Sequence, residues 1–94
     1  MRLDLFLRLS RLCSRRSIAQ KLCDAGFVLI NGRPSKSAHA VKVNDVITMR
    51  RRDGAADFRV LVVPDNRNVS KRAAGELLEK IGEQTFEPDD TTGL

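Results

Sequence analysis

The chain has 94 residues, of which 41% are hydrophobic and 31% are charged, and its formal net charge is +5. This length fits one small domain and leaves little room for a separate catalytic domain. The charge is uneven, because residues 1–52 carry 12 Lys and Arg against 3 Asp and Glu, whereas residues 53–94 carry 5 against 9. A basic half joined to an acidic half is typical of a protein that binds a polyanion on one face.

Several classes of site and location are disfavoured by the composition. Cys13 and Cys23 form no C-x-x-C pair and His39 is the sole histidine, so a zinc site lacks ligands and both cysteines are expected to be reduced, small apolar residues. Charged residues interrupt the apolar N-terminal run, which argues against a signal peptide, and no segment approaches the length of a membrane span. We expect a cytoplasmic protein with no metal and no cofactor.

The first half of the chain predicts two helices and a hairpin. Residues 3–11 have the apolar spacing of a short amphipathic helix. A second helix is expected to begin after Ser14 as its N-cap and to end just before Gly26. Phe27 to Ile30 is a strand run, and Asn31-Gly32 is a strong signal for a tight turn.

The second half predicts further strands. Residues 41–49 alternate, with Val41, Val43 and Val46 facing one way and a turn at Asn44-Asp45. Residues 53–57 predict a turn, and residues 58–63 predict a strand that stops at Pro64.

The C-terminal residues predict a helix and a tail. Ser70 is a suitable cap for a third helix, which has apolar residues at core spacing and Gly82 as its stop. Residues 83–94 are acidic, lack periodicity and predict a disordered tail. The expected fold class is α+β, with residues 1–52 as one unit and residues 53–82 completing or extending the same domain.

The second helix has an unusual first turn. Arg15 and Arg16 would lie at the positive end of the helix dipole, where cations are disfavoured but where unpaired N–H groups attract anions. Arginines at this end are explained if a phosphate backbone binds there, because a guanidinium matches a phosphate bidentately. Asp4, at the start of the first helix, can stabilise that helix dipole and pair with a nearby arginine.

Three adjacent segments supply the candidate RNA-binding residues. The candidate residues are Arg2, Arg8, Arg11, Ser14, Arg15, Arg16, Gln20, Lys21, Asn31, Arg33 and Lys36. Lys71 and Arg72 follow Ser70 as Arg15 and Arg16 follow Ser14, so they predict a second, weaker phosphate contact. Phe6 and Phe27 lie in apolar patterns and are expected in the core, and the chain has no Tyr or Trp. Base stacking is therefore disfavoured, and recognition should involve phosphates and RNA shape.

Residues 2–48 resemble the S4 domain, also called the alpha-L RNA-binding motif. The residues that carry the resemblance are Arg2-Leu3-Asp4, Ser14-Arg15-Arg16, Ala19, Leu22, Gly26, Val28, Ile30-Asn31-Gly32, Lys36, Val43 and Asp45. Leu5 departs from the pattern where a Lys is common, and Asn44 departs where Gly is usual. Asn is suited to that position because it also adopts left-handed turn conformations.

The resemblance implies an S4-type fold, with two short helices packed on a small, mostly antiparallel sheet and a C-terminal helix. The chain resembles free-standing S4 proteins of this length, which are the RqcP ribosome quality-control factors and the related small heat-shock S4 proteins. Residues 8–26 and 70–81 look closer to the RqcP factors. That likeness implies binding to large-subunit rRNA and peptidyl-tRNA of stalled, split ribosomes in support of C-terminal tailing of nascent chains. It also suggests a nascent-chain tailing factor as a partner on the same subunit, and we expect a monomer.

The residues argue against two other functions and leave a third open. An enzyme is disfavoured because His39, the cysteines and Asp4 form no recognisable nucleophile–base pair. A membrane-surface helix is disfavoured because the basic residues are spread over two helices and a turn. A general structured-RNA or rRNA binder in ribosome assembly or stress response stays open, since it predicts the same phosphate contacts.

Overall fold

A computed structural model of the chain describes residues 1–65 and 68–85. Within them the helices are α1 (Leu3–Leu9), α2 (Arg16–Asp24) and α3 (Lys71–Ala74). The strands are β1 (Val28–Ile30), β2 (Arg33–Pro34), β3 (Val46–Arg51), β4 (Gly54–Val60) and β5 (Leu78–Thr85).

The five strands form one antiparallel sheet in the order β2-β1-β3-β4-β5. Asn31 and Gly32 connect β1 to β2 with φ of 52° and 86°, the two successive left-handed residues that a tight hairpin turn requires. The expected turn is therefore confirmed, and so is the expected α+β class. Asn44, with φ of 76°, adopts the left-handed conformation expected where Gly is usual.

The core lies between α1, α2 and one face of the sheet. Because side chains alternate along a strand, residues paired across neighbouring strands share a face. The strand side chains buried on this face are Val28, Ile30, Ile47, Ala56 and Val60. The helices contribute buried side chains that include Leu3, Phe6 and Leu7 from α1 and Ala19 and Cys23 from α2. The two helices therefore cover the centre of the sheet.

The start of α1 is fixed by backbone bonds to the segment that leads into β3. The amide of Leu3 donates to the carbonyl of His39 at 2.8 Å, and the amide of Asp4 donates to the carbonyl of Ser37 at 3.1 Å. These bonds satisfy two of the N–H groups that a helix leaves unpaired at its beginning. They also bring Lys36, next to Ser37, towards the N-terminal end of α1.

The helix boundaries of the N-terminal half differ from the sequence expectation. α1 ends at Leu9, and Arg11 has a left-handed φ of 66°, so Arg8 and Arg11 do not share a helical face. Ser14 is not the cap of α2, because Arg15 is its N-cap and no side chain caps it. The expected end of α2 is confirmed, since Ala25 is the C-cap and Gly26 follows with φ of 81°.

The expected C-terminal helix is wrong beyond its first turn. Ser70 caps α3 as expected, but α3 ends at Ala74 and residues 78–85 form β5. Pairing with β4 from Val60↔Leu78 to Gly54↔Thr85 satisfies the outer edge of β4, and this tertiary bonding overrides the helical spacing. Glu83–Thr85 therefore belong to the sheet and not to a tail; residues 86–94 lie outside the described residues.

Other expectations about strands and core are also corrected. β4 begins at Gly54, inside the predicted turn, and ends at Val60, before the predicted stop. Phe27 was expected in the core but is 44% exposed, and Val43 is exposed instead of facing inwards with Val41. Phe27 precedes β1 and Val43 precedes the Asn44 turn, so neither lies in a strand that alternation would orient.

The close approach of β5 to Gly54 gives a test of this sheet edge. A Cβ on Gly54 would collide with the Gln84 carbonyl oxygen and lie 3.2 Å from the Cα of Thr85. We expect Gly54→Ala to lower the free energy of unfolding in urea by about 1–3 kcal/mol, the usual cost of overpacking. Gly75→Ala is the matched control, because its Cβ would lie 3.6 Å from the nearest atom. Equal stability of the two variants would contradict the pairing of β5 with β4.

Candidate RNA interface

A buried carboxylate organises the end of the molecule where α1 and α2 meet. The Asp4 side chain is fully buried, and its oxygens accept hydrogen bonds from Arg2 Nε and Nη2, both at 3.2 Å, and from Gln20 Nε2 at 2.9 Å. The backbone amide of Leu5 donates to Asp4 Oδ1 at 2.7 Å. Buried charges of this kind are tolerated when hydrogen bonds and opposite charges surround them.

Asp4 is ionised at neutral pH despite its burial. Burial by itself raises the carboxyl pKa, but the hydrogen bonds from Gln20, Arg2 and the Leu5 amide and the adjacent guanidinium of Arg16 lower it by more, so the pKa of Asp4 falls to about 2. The site therefore combines one fixed negative charge with two neighbouring guanidinium groups.

Arg16 is held in place by the same carboxylate. Its Nε lies 3.3 Å from Asp4 Oδ2, at ion-pair distance but without hydrogen-bond geometry. About a third of the Arg16 side chain is exposed, and a guanidinium has four further N–H donors on its Nη atoms. Asp4 thus offsets the cost of a cation in the first turn of α2 and orients the fork of Arg16.

Two other predicted site residues have structural partners. The Gln20 amide donates to Asp4, so Gln20 joins α2 to α1. The Asn31 side chain donates to Asp45 Oδ1 at 3.2 Å and accepts from the Val46 amide at 3.0 Å, which fastens the β1–β2 turn to β3. Both residues therefore help to position the predicted interface.

The remaining predicted residues are exposed, but they come from several places. This exposed set consists of Arg8, Arg11, Ser14, Arg15, Lys21, Arg33 and Lys36. Arg15 is adjacent to Arg16 at the start of α2, and Lys36 belongs to the segment bonded to α1. Arg33 lies on β2, the outer strand next to β1, and Arg11 lies in the connection between the two helices.

The predicted second patch lies beside α1. Ser70 Oγ accepts from the Ala73 amide at 3.1 Å, so the cap exists, and the side chains of Lys71 and Arg72 are exposed. The predicted likeness between this patch and the start of α2 is wrong in one respect, because Ser14 does not cap α2. Arg8 borders a shallow groove with Asn68, Val69 and Ser70, which brings α1 next to this patch.

The cysteines are buried and free, in agreement with the expectation of reduced, small apolar residues. Burial raises the pKa of the Cys13 thiol, and burial with nearby negative charge raises the pKa of Cys23 to about 11. Both therefore remain thiols at neutral pH, a form with little nucleophilic character. In residues 1–65 and 68–85, no three His, Cys, Asp or Glu residues gather as a metal-binding group.

Sequence reasoning overlooked the arginines at the end of β3. Arg50 and Arg51 are exposed and border an apolar groove against the helices. The sequence shows a run of three arginines at 50–52, but the position of Arg50 and Arg51 beside Leu12 and Leu22 depends on the folding of distant segments.

The part of the chain that the structure describes has no helix long and apolar enough to cross a bilayer.

Comparison with known proteins identifies the family. The S4 domain family model matches residues 1–47, which include Asp4, Arg16 and the β1–β2 turn. The chain belongs to the S4 domain family. The RQC P-site tRNA stabilizing factor of Streptococcus pneumoniae is 34% identical over 87 residues, covering 93% of this chain and 97% of the relative. The protein of the same name from Helicobacter pylori is 35% identical over 72 residues, covering 77% and 86%.

Solved structures agree with this assignment of the S4 fold. Heat shock protein 15 of Vibrio cholerae, described as trimeric, superposes with a TM-score of 0.76 and 27% identity. The superposition covers 86% of this chain and 81% of that protein. The likeness therefore extends beyond the residues 1–47 matched by the family model.

The ionisation of Asp4 predicts how stability depends on pH. Its pKa is lowered from 3.8 to about 2 in the folded chain, so its contribution is complete above the unfolded value and is lost as pH falls towards 2. We expect Asp4→Asn to be less stable than wild type by roughly 2 kcal/mol at pH 7. The difference should shrink between about pH 5 and pH 2, as measured by urea denaturation. A difference that is constant over this range would contradict the role of the Asp4 charge.

Proposed function

We propose that this chain is a non-catalytic RNA-binding protein of ribosome-associated quality control. It docks on large-subunit rRNA and on the P-site peptidyl-tRNA of stalled, split ribosomes, and it supports C-terminal tailing of the nascent chain. Support comes from similarity over 77% and 93% of the chain to two proteins named RQC P-site tRNA stabilizing factor. A nascent-chain tailing factor bound to the same subunit is the protein partner that we infer, and the chain acts as a monomer in the cytoplasm.

The observation that carries the proposal is the pair of guanidinium groups fixed by Asp4. Arg2 and Arg16 are both held by the buried carboxylate, while about half of the Arg2 side chain and a third of Arg16 remain exposed. Ordering a long side chain before binding reduces the entropy cost of contacting a phosphate. Fixed forks recognise the spacing of phosphates in a folded RNA, which mobile surface lysines do less well.

The exposed cations around this pair extend the contact surface. Arg15 and Lys21 belong to α2, Lys36 to the segment fastened to α1, and Arg33 to the neighbouring β2. These side chains add sequence-independent attraction to the RNA backbone, which sets affinity and its dependence on salt. The two buried cysteines, both with raised pKa values, supply no ready nucleophile to an enzyme reaction.

A second candidate function is a general rRNA-binding role in ribosome assembly or the stress response. The superposition with heat shock protein 15 favours a role in the stress response, because a protein named for heat shock shares the fold at 27% identity. The two functions predict that different ribosomal particles copurify with a tagged copy of this chain. Recovery of large subunits bearing peptidyl-tRNA supports the quality-control function, whereas recovery of immature particles without peptidyl-tRNA supports the assembly function.

Salt dependence tests docking by phosphate contacts. If five or six basic residues meet phosphates, log affinity for large subunits bearing peptidyl-tRNA should fall with log salt at a slope of roughly −4 to −5. Arg15→Gln and Lys21→Gln should each reduce the steepness by about one unit. Arg16→Ala should weaken binding by about 1–3 kcal/mol, on the scale of a lost charge-assisted hydrogen bond.

Arg59→Gln is the matched control for loss of one positive charge. Arg59 pairs with Glu79 at 3.7 Å and lies on β4 next to Val60, on the sheet face opposite the helices. Its loss should leave the slope and the affinity close to wild type. Wild-type binding by Arg16→Ala in physiological salt would remove Arg16 from the interface, and an equal effect of all four variants would indicate non-specific attraction.

The second patch is tested separately. Lys71 and Arg72 are exposed beside the groove that Arg8 borders, so they can reach RNA docked along α1. We expect the double variant Lys71→Gln/Arg72→Gln to reduce the salt slope by about one to two units with a smaller loss of affinity than Arg16→Ala. An unchanged slope would show that this helix turn is only a solvated surface.

A further inference from the structure

An apolar groove opens where the two helices stop covering the sheet. Met49 and Phe58 lie on the helix-facing side of the sheet, in register with the buried residues Val28 and Ile47, yet both remain partly exposed. The groove has an apolar floor and a cationic rim, formed by Leu12, Leu22, Met49 and Phe58 and by Arg50 and Arg51.

Arginines border the β3 side of the groove. The Arg51 side chain is 63% exposed and lies 3.9 Å from Glu83, and Glu83 also bonds to Lys80, which is the β5 partner of Phe58. Arg11, which is exposed, immediately precedes Leu12 of the groove floor. Among the described residues that line the groove, two are cations and none is acidic.

We propose that this groove accepts one unpaired nucleobase of the RNA that the chain binds. The base would pack against the Phe58 ring and the Met49 side chain, and an adjoining phosphate would meet Arg51. A nucleobase has an apolar face beside an anionic backbone, which is the combination that this groove complements. The inference rests on the proposed RNA-binding function and adds a specific class of ligand to it.

The position of the groove favours RNA over an acidic peptide. Leu12 belongs to the connection between α1 and α2, which also carries Arg11 and leads to Arg15 and Arg16. RNA docked at the start of α2 would therefore border the groove. Phe58 also changes the expectation that base stacking is disfavoured, because that expectation assumed aromatic residues confined to the core.

The test compares two RNA hairpins that differ in one nucleotide. One carries a single bulged 2-aminopurine, and the other is fully paired. We expect the wild-type chain to prefer the bulged hairpin by about ten-fold, on the scale of one stacked base. We also expect 2-aminopurine emission to rise, because the base leaves its neighbouring bases and the chain has no Trp or Tyr to quench it.

Three variants assign the effect to the groove. Phe58→Leu keeps an apolar side chain without the ring and should lower the preference to about two-fold. Arg51→Gln should weaken binding to the bulged hairpin more than to the paired one. Arg59→Gln, whose residue lies outside the groove, should leave both affinities and the emission change as in wild type.

The outcomes separate this inference from the proposed function. Equal binding of both hairpins with unchanged emission overturns the nucleobase site while RNA binding stands. Failure to bind either hairpin in low salt overturns the proposed function and this inference together. If the emission stays unchanged and a leucine-containing acidic peptide binds wild type but not Phe58→Leu, the groove belongs to a protein ligand and the inference is overturned.

Discussion

The burial of one ionised carboxylate constrains the whole N-terminal half of the molecule. An unpaired buried charge costs several kcal/mol, so Asp4 is compatible with the fold only while its donors surround it. Its hydrogen-bond donors and its ion-pair partners come from the residue before α1, from the first turn of α1 and from two successive turns of α2. The packing of the two helices and the direction of two guanidinium groups are thus set by the same carboxylate. A single group serves both folding and the proposed recognition of phosphate.

Sequence reasoning succeeds where the deciding interactions are local. The Asn31-Gly32 turn, the end of α2 at Gly26 and the pairing of Asp4 with Arg2 all depend on neighbours or on strong conformational preferences. The S4 resemblance then supplied the packing of two short helices on an antiparallel sheet, which local signals leave open. The burial of Asp4 and the use of Gln20 as its donor were not predicted, because they depend on how two helices pack.

The C-terminal half shows where such reasoning fails. The spacing of Ala74, Leu77, Leu78 and Ile81 suits a helix, but the outer edge of β4 offers seven paired positions to β5. Backbone pairing at the open edge of a sheet is a long-range interaction with no signature in the residues that form it. Phe58 of β4 remains partly exposed although Ala56 and Val60 of the same strand are buried, and the groove that it lines draws residues from four separate segments. The groove is therefore a product of topology.

The outer position of β5 has a consequence for how the protein behaves at high local concentration. Among the described residues β5 is an edge strand, and an edge strand of eight residues is long enough to template the addition of another chain. Glu79, Lys80 and Glu83 place charge along β5, and a bulge at Asp57/Phe58 breaks its regular pairing. An incoming strand would have to desolvate these charges and follow an irregular edge. Many copies can therefore gather in one place without polymerising through their sheets.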